Sequence, residues 1–215
     1  MPMKVLLVDD HDIIRFGLDK LLQPETDYLV VGQACNGLDA VEKACQLCPD
    51  FIIMAITMPR MNGLEAMRAI RRQLPGVRFV VQTIHEGRQM VLKSFVAGAR
   101  AYVLKQDLVR ELIPALRSVL NGRVYLSHGI EGITESDLCK DRLGSTVSQP
   151  LTLRERQVIQ LLAEGKSSQE MGRILGLGKN TIVTHRQNIM NKLNLRSIAE
   201  LTKYAIREGL TTLDE

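Results

Sequence analysis

At 215 residues, 45% of them apolar, the chain is long enough for two modest domains with buried cores. No apolar run approaches the roughly 20 residues a membrane-spanning helix needs, and the opening MPMKVLLVDD reaches two carboxylates before any signal-type segment develops, so a cytoplasmic protein is expected. Cys35, Cys45, Cys48 and Cys139 are too few and scattered for a disulfide framework, and a net charge of +4 is too mild to name a partner by itself.

In chain order, the first 120 residues alternate short β-branched apolar runs with longer amphipathic stretches. That pattern predicts a five-stranded parallel, doubly wound (flavodoxin-like) α/β sheet with helices on both faces. The predicted strands are Lys4–Val8, Tyr28–Gly32, Phe51–Ala55, Arg78–Gln82 and Ala101–Leu104. The predicted helices cover about 12–22, 38–47, 64–73, 87–97 and 108–120. Residues 1–122 thus form one domain, and 123–149 read as a linker that is polar from Ser136 to Pro150 and carries Gly144, Ser145 and Ser148.

From residue 150 to 215 the periodicity is purely helical. Thr152 and Glu155, Ser167 and Glu170, and Ser197 and Glu200 each set a hydroxyl three residues before a carboxylate, the pattern that satisfies orphan N–H groups at a helix start. Gly165, Gly176 and Gly209 follow periodic segments where a left-handed closing residue is wanted. An all-α domain of four helices follows, at about 153–163, 168–175, 179–193 and 198–207. Basic residues outnumber acidic ones 15 to 13 over residues 1–122, fall short 3 to 4 over 123–149, and exceed them 10 to 7 over 150–215. The positive excess is densest in the last segment, which permits contact with a phosphate backbone.

A right-handed parallel sheet collects its carboxyl strand ends on one edge. Asp9 and Asp10, Ala55 to Thr57, Thr83 and Lys105 are therefore expected to meet there. Adjacent carboxylates need a nearby cation and suit a hard divalent ion, while an ammonium and a hydroxyl suit a phosphoryl group.

These residues stand within Val8-Asp-Asp-His11, Met58-Pro-Arg-Met-Asn-Gly63 and Ala101-Tyr-Val-Leu-Lys105, and residues 3–122 resemble response-regulator receiver domains. In that family an aspartate four residues before the proline accepts a phosphoryl group, magnesium sits on the acidic pair, and Thr and Lys bind phosphoryl oxygens. The resemblance places phosphoryl contacts on Asp9, Asp10, Thr83 and Lys105, a metal site on Asp9, Asp10 and Thr57, and a conformational switch on Thr83 and Tyr102. The acceptor position, however, is Ala55, and a methyl group cannot form an acyl phosphate. Asp50 cannot substitute, because five residues of strand at about 3.3 Å each put it at the opposite edge. The resemblance therefore implies a weakened Mg2+ site, no other cofactor, and a cognate histidine kinase as a partner that cannot transfer a phosphoryl group to Ala55. Either the receiver is naturally independent of phosphorylation or an aspartate was replaced by alanine, and retention of the rest of the cluster favours a recent or introduced change.

In the second domain, a short helix, the turn Leu175-Gly-Leu-Gly178 and a longer helix have helix-turn-helix spacing. On a helical wheel Ile182, Ile189 and Leu193 share one face, and Asn180, Thr184, Gln187 and Asn191 the opposite one. Amides and hydroxyls can bond base edges, with Lys179, Arg186 and Lys192 as flanking phosphate contacts. Residues 150–213 resemble the LuxR-type DNA-binding domain through Leu153-Arg-Glu-Arg156, Thr181-Ile-Val-Thr-His185 and Asn191-Lys-Leu193. Joined to a receiver, this is the order of NarL/FixJ-type response regulators, which implies a double-stranded DNA partner and a homodimer through the last helix or the receiver. The DNA-contacting set is then Lys179, Asn180, Thr181, Val183, Thr184, Gln187, Asn188, Asn191 and Lys192. The family's usual serine or threonine at the recognition-helix start is Gly178 here, and its lysine is shifted to Lys179.

Two rival readings are weaker. A phosphate-ester enzyme of flavodoxin-like fold would need Gly-rich amides where the first loop offers Asp9-Asp10-His11-Asp12. The alternative is a protein-interaction module in which the receiver sequesters a partner and DNA binding is secondary, and mobility shift on genomic fragments separates both rivals from the main reading. Cys45-Gln-Leu-Cys48 has redox spacing but ends a helix, where nothing lowers a thiol pKa. Met54, Met58, Met61 and Met67 are expected to fill core and loop gaps.

Overall fold

In the computed structural model the described residues are 1–134, 137–138, 151–193, 195–208 and 210–211, so Cys139, Gly144, Ser145, Ser148 and Gly209 lie outside them. The chain divides into two compact units, Met1–Gly144 and Ser145–Glu215.

The first unit follows the predicted alternation: β1 (Met3–Val8), α1 (Asp12–Leu22), β2 (Tyr28–Ala34), α2 (Gly37–Leu47), β3 (Phe51–Ala55), α3 (Gly63–Gln73), β4 (Arg78–Thr83), α4 (Arg88–Ala97), β5 (Ala99–Leu104), α5 (Leu108–Leu120) and β6 (Tyr125–Leu126). The strands lie in the order β2-β1-β3-β4-β5-β6, every pair parallel. Successive strand residues point to opposite faces. Leu6, Val8, Ile52, Met54, Phe79 and Val81 accordingly join the core under α2, α3 and α4, whereas Val5, Leu7, Phe51, Ile53 and Val80 join the core under α1 and α5. With both faces covered, the strands read as unbroken apolar runs. Met54, Met58, Met61 and Met67 are all buried in the first of these cores, as the sequence suggests.

Periodicity predicts five strands, but the sheet has six. Tyr125 and Leu126, assigned to the linker, pair with Ala101 and Tyr102, and Leu138 joins the core under α2, α3 and α4. A two-residue strand leaves no periodicity to detect, so Tyr125 and Leu126 read as linker although they belong to the sheet.

The second unit contains α6 (Leu153–Ala163), α7 (Ser168–Leu175), α8 (Lys179–Leu193) and α9 (Ile198–Glu208). All three predicted capping boxes form. Thr152 and Glu155 cap α6, Ser167 and Glu170 cap α7, and the Ser197 hydroxyl accepts from Glu200 N–H (3.1 Å) while Glu200 accepts from Ser197 N–H (3.3 Å). Val158, Ile159, Leu161, Met171, Ile182, Ile189, Leu201 and Ala205 form its core. No helix among the described residues is long and apolar enough to cross a membrane.

Candidate functional site

Sheet order reverses at β1, so the loops after β1 and β3 flank a crevice at the carboxyl edge, the binding position that open parallel sheets offer. Asp9 lies at its floor, fully buried, and each carboxylate oxygen is engaged. Oδ2 takes Lys105 Nζ at 2.8 Å and the side-chain amide of Gln82, while Oδ1 takes the His11 N–H at 2.8 Å and stands 3.1 Å from His11 Nδ1. The same ring nitrogen is 3.1 Å from Asp10 Oδ1, so His11 bridges the acidic pair. Burial alone would raise the pKa of Asp9, but Lys105, the His11 N–H and Gln82 outweigh it and hold the carboxyl below its ordinary range.

Ala55 is buried and pairs in register with Gln82, so the two side chains share a face of the sheet. Gln82 thus supplies a donor to Asp9 beside a position that contributes only a methyl group. Its Oε1 is buried without a partner. Gly63 starts α3 so close to this strand end that a Cβ there would collide with the Ala55 carbonyl. Asp50 sits at the other end of β3, where its carboxylate accepts from Lys4 N–H at 2.8 Å.

Thr83 is buried and its Oγ1 accepts from His85 N–H at 3.2 Å; Tyr102, fully buried on β5, donates its hydroxyl to the His85 carbonyl at 2.8 Å. Burial drives the phenol pKa of Tyr102 up, so it remains a neutral donor. Thr57 Oγ1 lies 3.2 Å from His85 Nε2. The structure therefore brings Asp9, Asp10 and Lys105 together, and gathers Thr57, Thr83 and Tyr102 around His85.

A divalent ion fits this donor set poorly. Asp9, Asp10 and His11 offer atoms within 4.8 Å of one another, but both Asp9 oxygens already face an ammonium, an amide or an N–H. The Ala55 side chain supplies no oxygen. A cation would have to displace Lys105 or His11 to gain more than one carboxylate.

In the second unit, Gly172 lets α7 approach the turn: a methyl group there would stand 2.6 Å from the Leu177 carbonyl oxygen. Gly176 closes α7 in the left-handed conformation at φ 66°. α8 then presents Lys179, Asn180, Thr181, Val183, Thr184, Gln187, Asn188 and Asn191 outward, with Ile182 and Ile189 fully buried beneath. The Thr184 hydroxyl donates to the Asn180 carbonyl at 3.0 Å, and Gln187 Nε2 donates to Asn191 Oδ1 at 3.4 Å. Lys192 differs from the rest: its Nζ is 2.8 Å from Oε1 of Glu155, the buried capping carboxylate of α6. Burial raises the Glu155 pKa, but Lys192 and the Thr152 N–H and hydroxyl prevail and hold it low.

A switch-point crevice with an acidic pair and a lysine, followed by a helix-turn-helix unit, defines a receiver–effector regulator. Residues 5–117 match the family "Response regulator receiver domain", and residues 149–205 match "Bacterial regulatory proteins, luxR family". The transcriptional regulatory protein LiaR of Bacillus subtilis is 34% identical over 208 residues, covering 97% of this chain and 99% of that protein. The nitrate/nitrite response regulator protein NarL of Escherichia coli is 32% identical over 211 residues, 97% of each chain. Among solved structures, a two-component response regulator of the LuxR family from Aurantimonas sp. superposes with a TM-score of 0.58 at 33% identity, covering 67% of this chain and all of that one. The chain belongs to the response regulators that join a receiver domain to a LuxR-type DNA-binding domain, as its motifs led us to expect.

Gln82, like His85, is given no part in the site by the sequence motifs. Its signal is visible afterwards: a glutamine inside Arg78-Phe-Val-Val-Gln-Thr83, a strand covered on both faces, must find polar partners.

Proposed function

We propose that this cytoplasmic regulator binds double-stranded DNA as a homodimer through α8, and that its receiver works without aspartyl phosphorylation. The observation that carries the DNA reading is the division of α8: Ile182 and Ile189 are fully buried, while a stripe of amides and hydroxyls faces outward at helical spacing. Such a helix fits the major groove, where amide and hydroxyl groups match base edges. Asn180, Gln187 and Asn191 can donate and accept. Thr184 has committed its proton to Asn180, so towards a base it offers lone pairs to an adenine or cytosine amino group, or its methyl to thymine. Lys179 and Arg186 are the proposed phosphate contacts, and α9, with Ile198 exposed, the proposed dimer contact. For the receiver, the donors closing Asp9 support weak Mg2+ binding at most and no resident cofactor.

Replacing Gln187 by Ala should cost about 1–3 kcal/mol on the preferred site and relax preference at the base it faces. Binding to a panel of single-base site variants checks this; an unchanged preference profile would assign base reading to another face.

Lys192→Ala separates structural from phosphate roles. Loss of the Glu155 partner should lower the stability of the second unit by about 1–3 kcal/mol, since the carboxylate stays buried while the lysine is partly exposed. The salt dependence of DNA binding should stay the same. A slope reduced by about 1 with unchanged thermal stability would instead make Lys192 a phosphate contact.

A further inference from the structure

The amino edge of the sheet, opposite the acidic crevice, carries a cavity of about 340 Å3. Arg71 in the last turn of α3, Arg78 at the start of β4, Arg100 on β5 and Arg123 after α5 all line it, and none of the lining residues is acidic. The nearest strand-end carboxylate in sequence, Asp50, is turned to the Lys4 N–H. Among the described residues, Arg71, Arg78 and Arg123 make no ion pair.

Two of the guanidiniums are held in place. Arg78 lies 5.4 Å from the ring centre of Phe51, and Arg71 crosses Gly98, where a Cβ would stand 3.1 Å from its Cδ. Because Gly98 adopts φ 124°, a side chain is disfavoured there and the space stays open to Arg71.

The plain alternative is that these arginines only neutralise the helix carboxyl ends at this edge. α3, α4 and α5 all end here, and each contributes roughly half a negative charge. The three guanidiniums that make no ion pair, Arg71, Arg78 and Arg123, already exceed that by about one and a half charges, so the cavity keeps a positive excess. Guanidinium forks match phosphoryl oxygens two at a time. The volume lies at the low end of the roughly 300–1,000 Å3 of small-molecule sites, larger than one phosphate requires.

We infer that this cavity is a binding site for a small molecule carrying linked phosphoryl groups, of the nucleoside di- or triphosphate class. Arg71 and Arg123 are its outer clamps, Arg78 its inner anchor. The ligand would tie the α3–β4 loop at Pro75 and Gly76 to the turn at Gly122 and Arg123, which leads into β6 and onward to the second unit. It would give a receiver without an acceptor carboxylate a chemical input at its opposite edge.

The test is calorimetric titration of the full chain with ADP, ATP and pyrophosphate at physiological salt, with sulfate as a control. Binding of at least one linked phosphate, weakened roughly tenfold or more in Arg71→Gln/Arg123→Gln, is expected. Lys179→Gln in the DNA-binding unit should leave it unchanged. Hydrogen exchange on the same samples should slow at residues 75–78 and 121–124. No binding, binding equal to sulfate, or binding that survives the arginine changes but falls with Lys179→Gln would overturn the inference. So would arginine variants that lose DNA affinity while never having bound a nucleotide, since the cluster would then be a DNA-backbone surface. The substituted arginines are exposed, and an unchanged thermal midpoint confirms that the variants fold.

Discussion

Incubated with acetyl phosphate and Mg2+, the protein should remain unlabelled, whereas Ala55→Asp should take up one acid-stable, hydroxylamine-sensitive phosphoryl group. The expected difference is all or none, because attack on phosphorus needs a carboxylate oxygen and the position supplies a methyl. The geometry otherwise favours the change: Ala55 ends β3 at the crevice, beside Gln82 and near Asp9 with its Lys105 partner. An added carboxylate would meet an ammonium and contribute the metal oxygen that the present donor set lacks. Intact-mass spectrometry reads the result. Label on the unaltered chain would show that another side chain accepts phosphate, and that the reading of this crevice is wrong.

The second large effect concerns Lys105. Replacing it by Ala leaves the fully buried Asp9 without its counter-charge, and removing one partner of a buried pair costs about 3 kcal/mol or more. The pH dependence fixes the sign. Asp9 has a folded pKa below its unfolded value, so its contribution to stability is complete above the ordinary carboxylate range and fades as pH falls through the folded pKa. Without Lys105, burial dominates and the carboxyl pKa rises above its unfolded value, so the destabilisation by Lys105→Ala should be largest near neutral pH and shrink as pH falls and Asp9 takes up a proton. Carbon-detected NMR titration of the Asp9 carboxyl, with urea unfolding across pH, tests both parts. A carboxyl that titrates as before in Lys105→Ala would mean that Gln82 and the His11 N–H hold the charge by themselves.

These two expectations bear on how such a receiver stays folded. A fully buried carboxylate would be costly if it were unpaired. Here one ammonium, one amide and one backbone N–H perform the neutralisation that a bound cation would otherwise share. The crevice reads as a closed ion-pair cluster, which is why a missing acceptor need not destabilise the domain. On the proposed reading regulatory input acts elsewhere, and the arginine-lined cavity at the far edge is its candidate site.

Local chemistry made much of this molecule legible beforehand. Hydroxyl–carboxylate spacing fixes helix starts within a single turn, and Thr152, Ser167 and Ser197 cap their helices as the spacing implies. Alternating apolar runs identify five strands because parallel strands are buried on both faces, and the order of β1, β3 and β5 brings Asp9, Asp10 and Lys105 to one edge before any coordinate is known. Ala55 is likewise a property of the sequence: it removes a chemistry whatever the fold does.

Other features depended on contacts between residues far apart in the chain, which periodicity cannot report. β6 is two residues long and exists only because β5 has a free edge to pair. Gln82 reaches Asp9 across 73 positions, and Lys192 reaches Glu155 across 37, which gives an expected phosphate contact a tie between helices as well. The four arginines of the cavity are spread from position 71 to 123 and form no motif. They converge because a parallel sheet gathers its strand starts and helix ends at one edge, and that convergence is decided only in three dimensions.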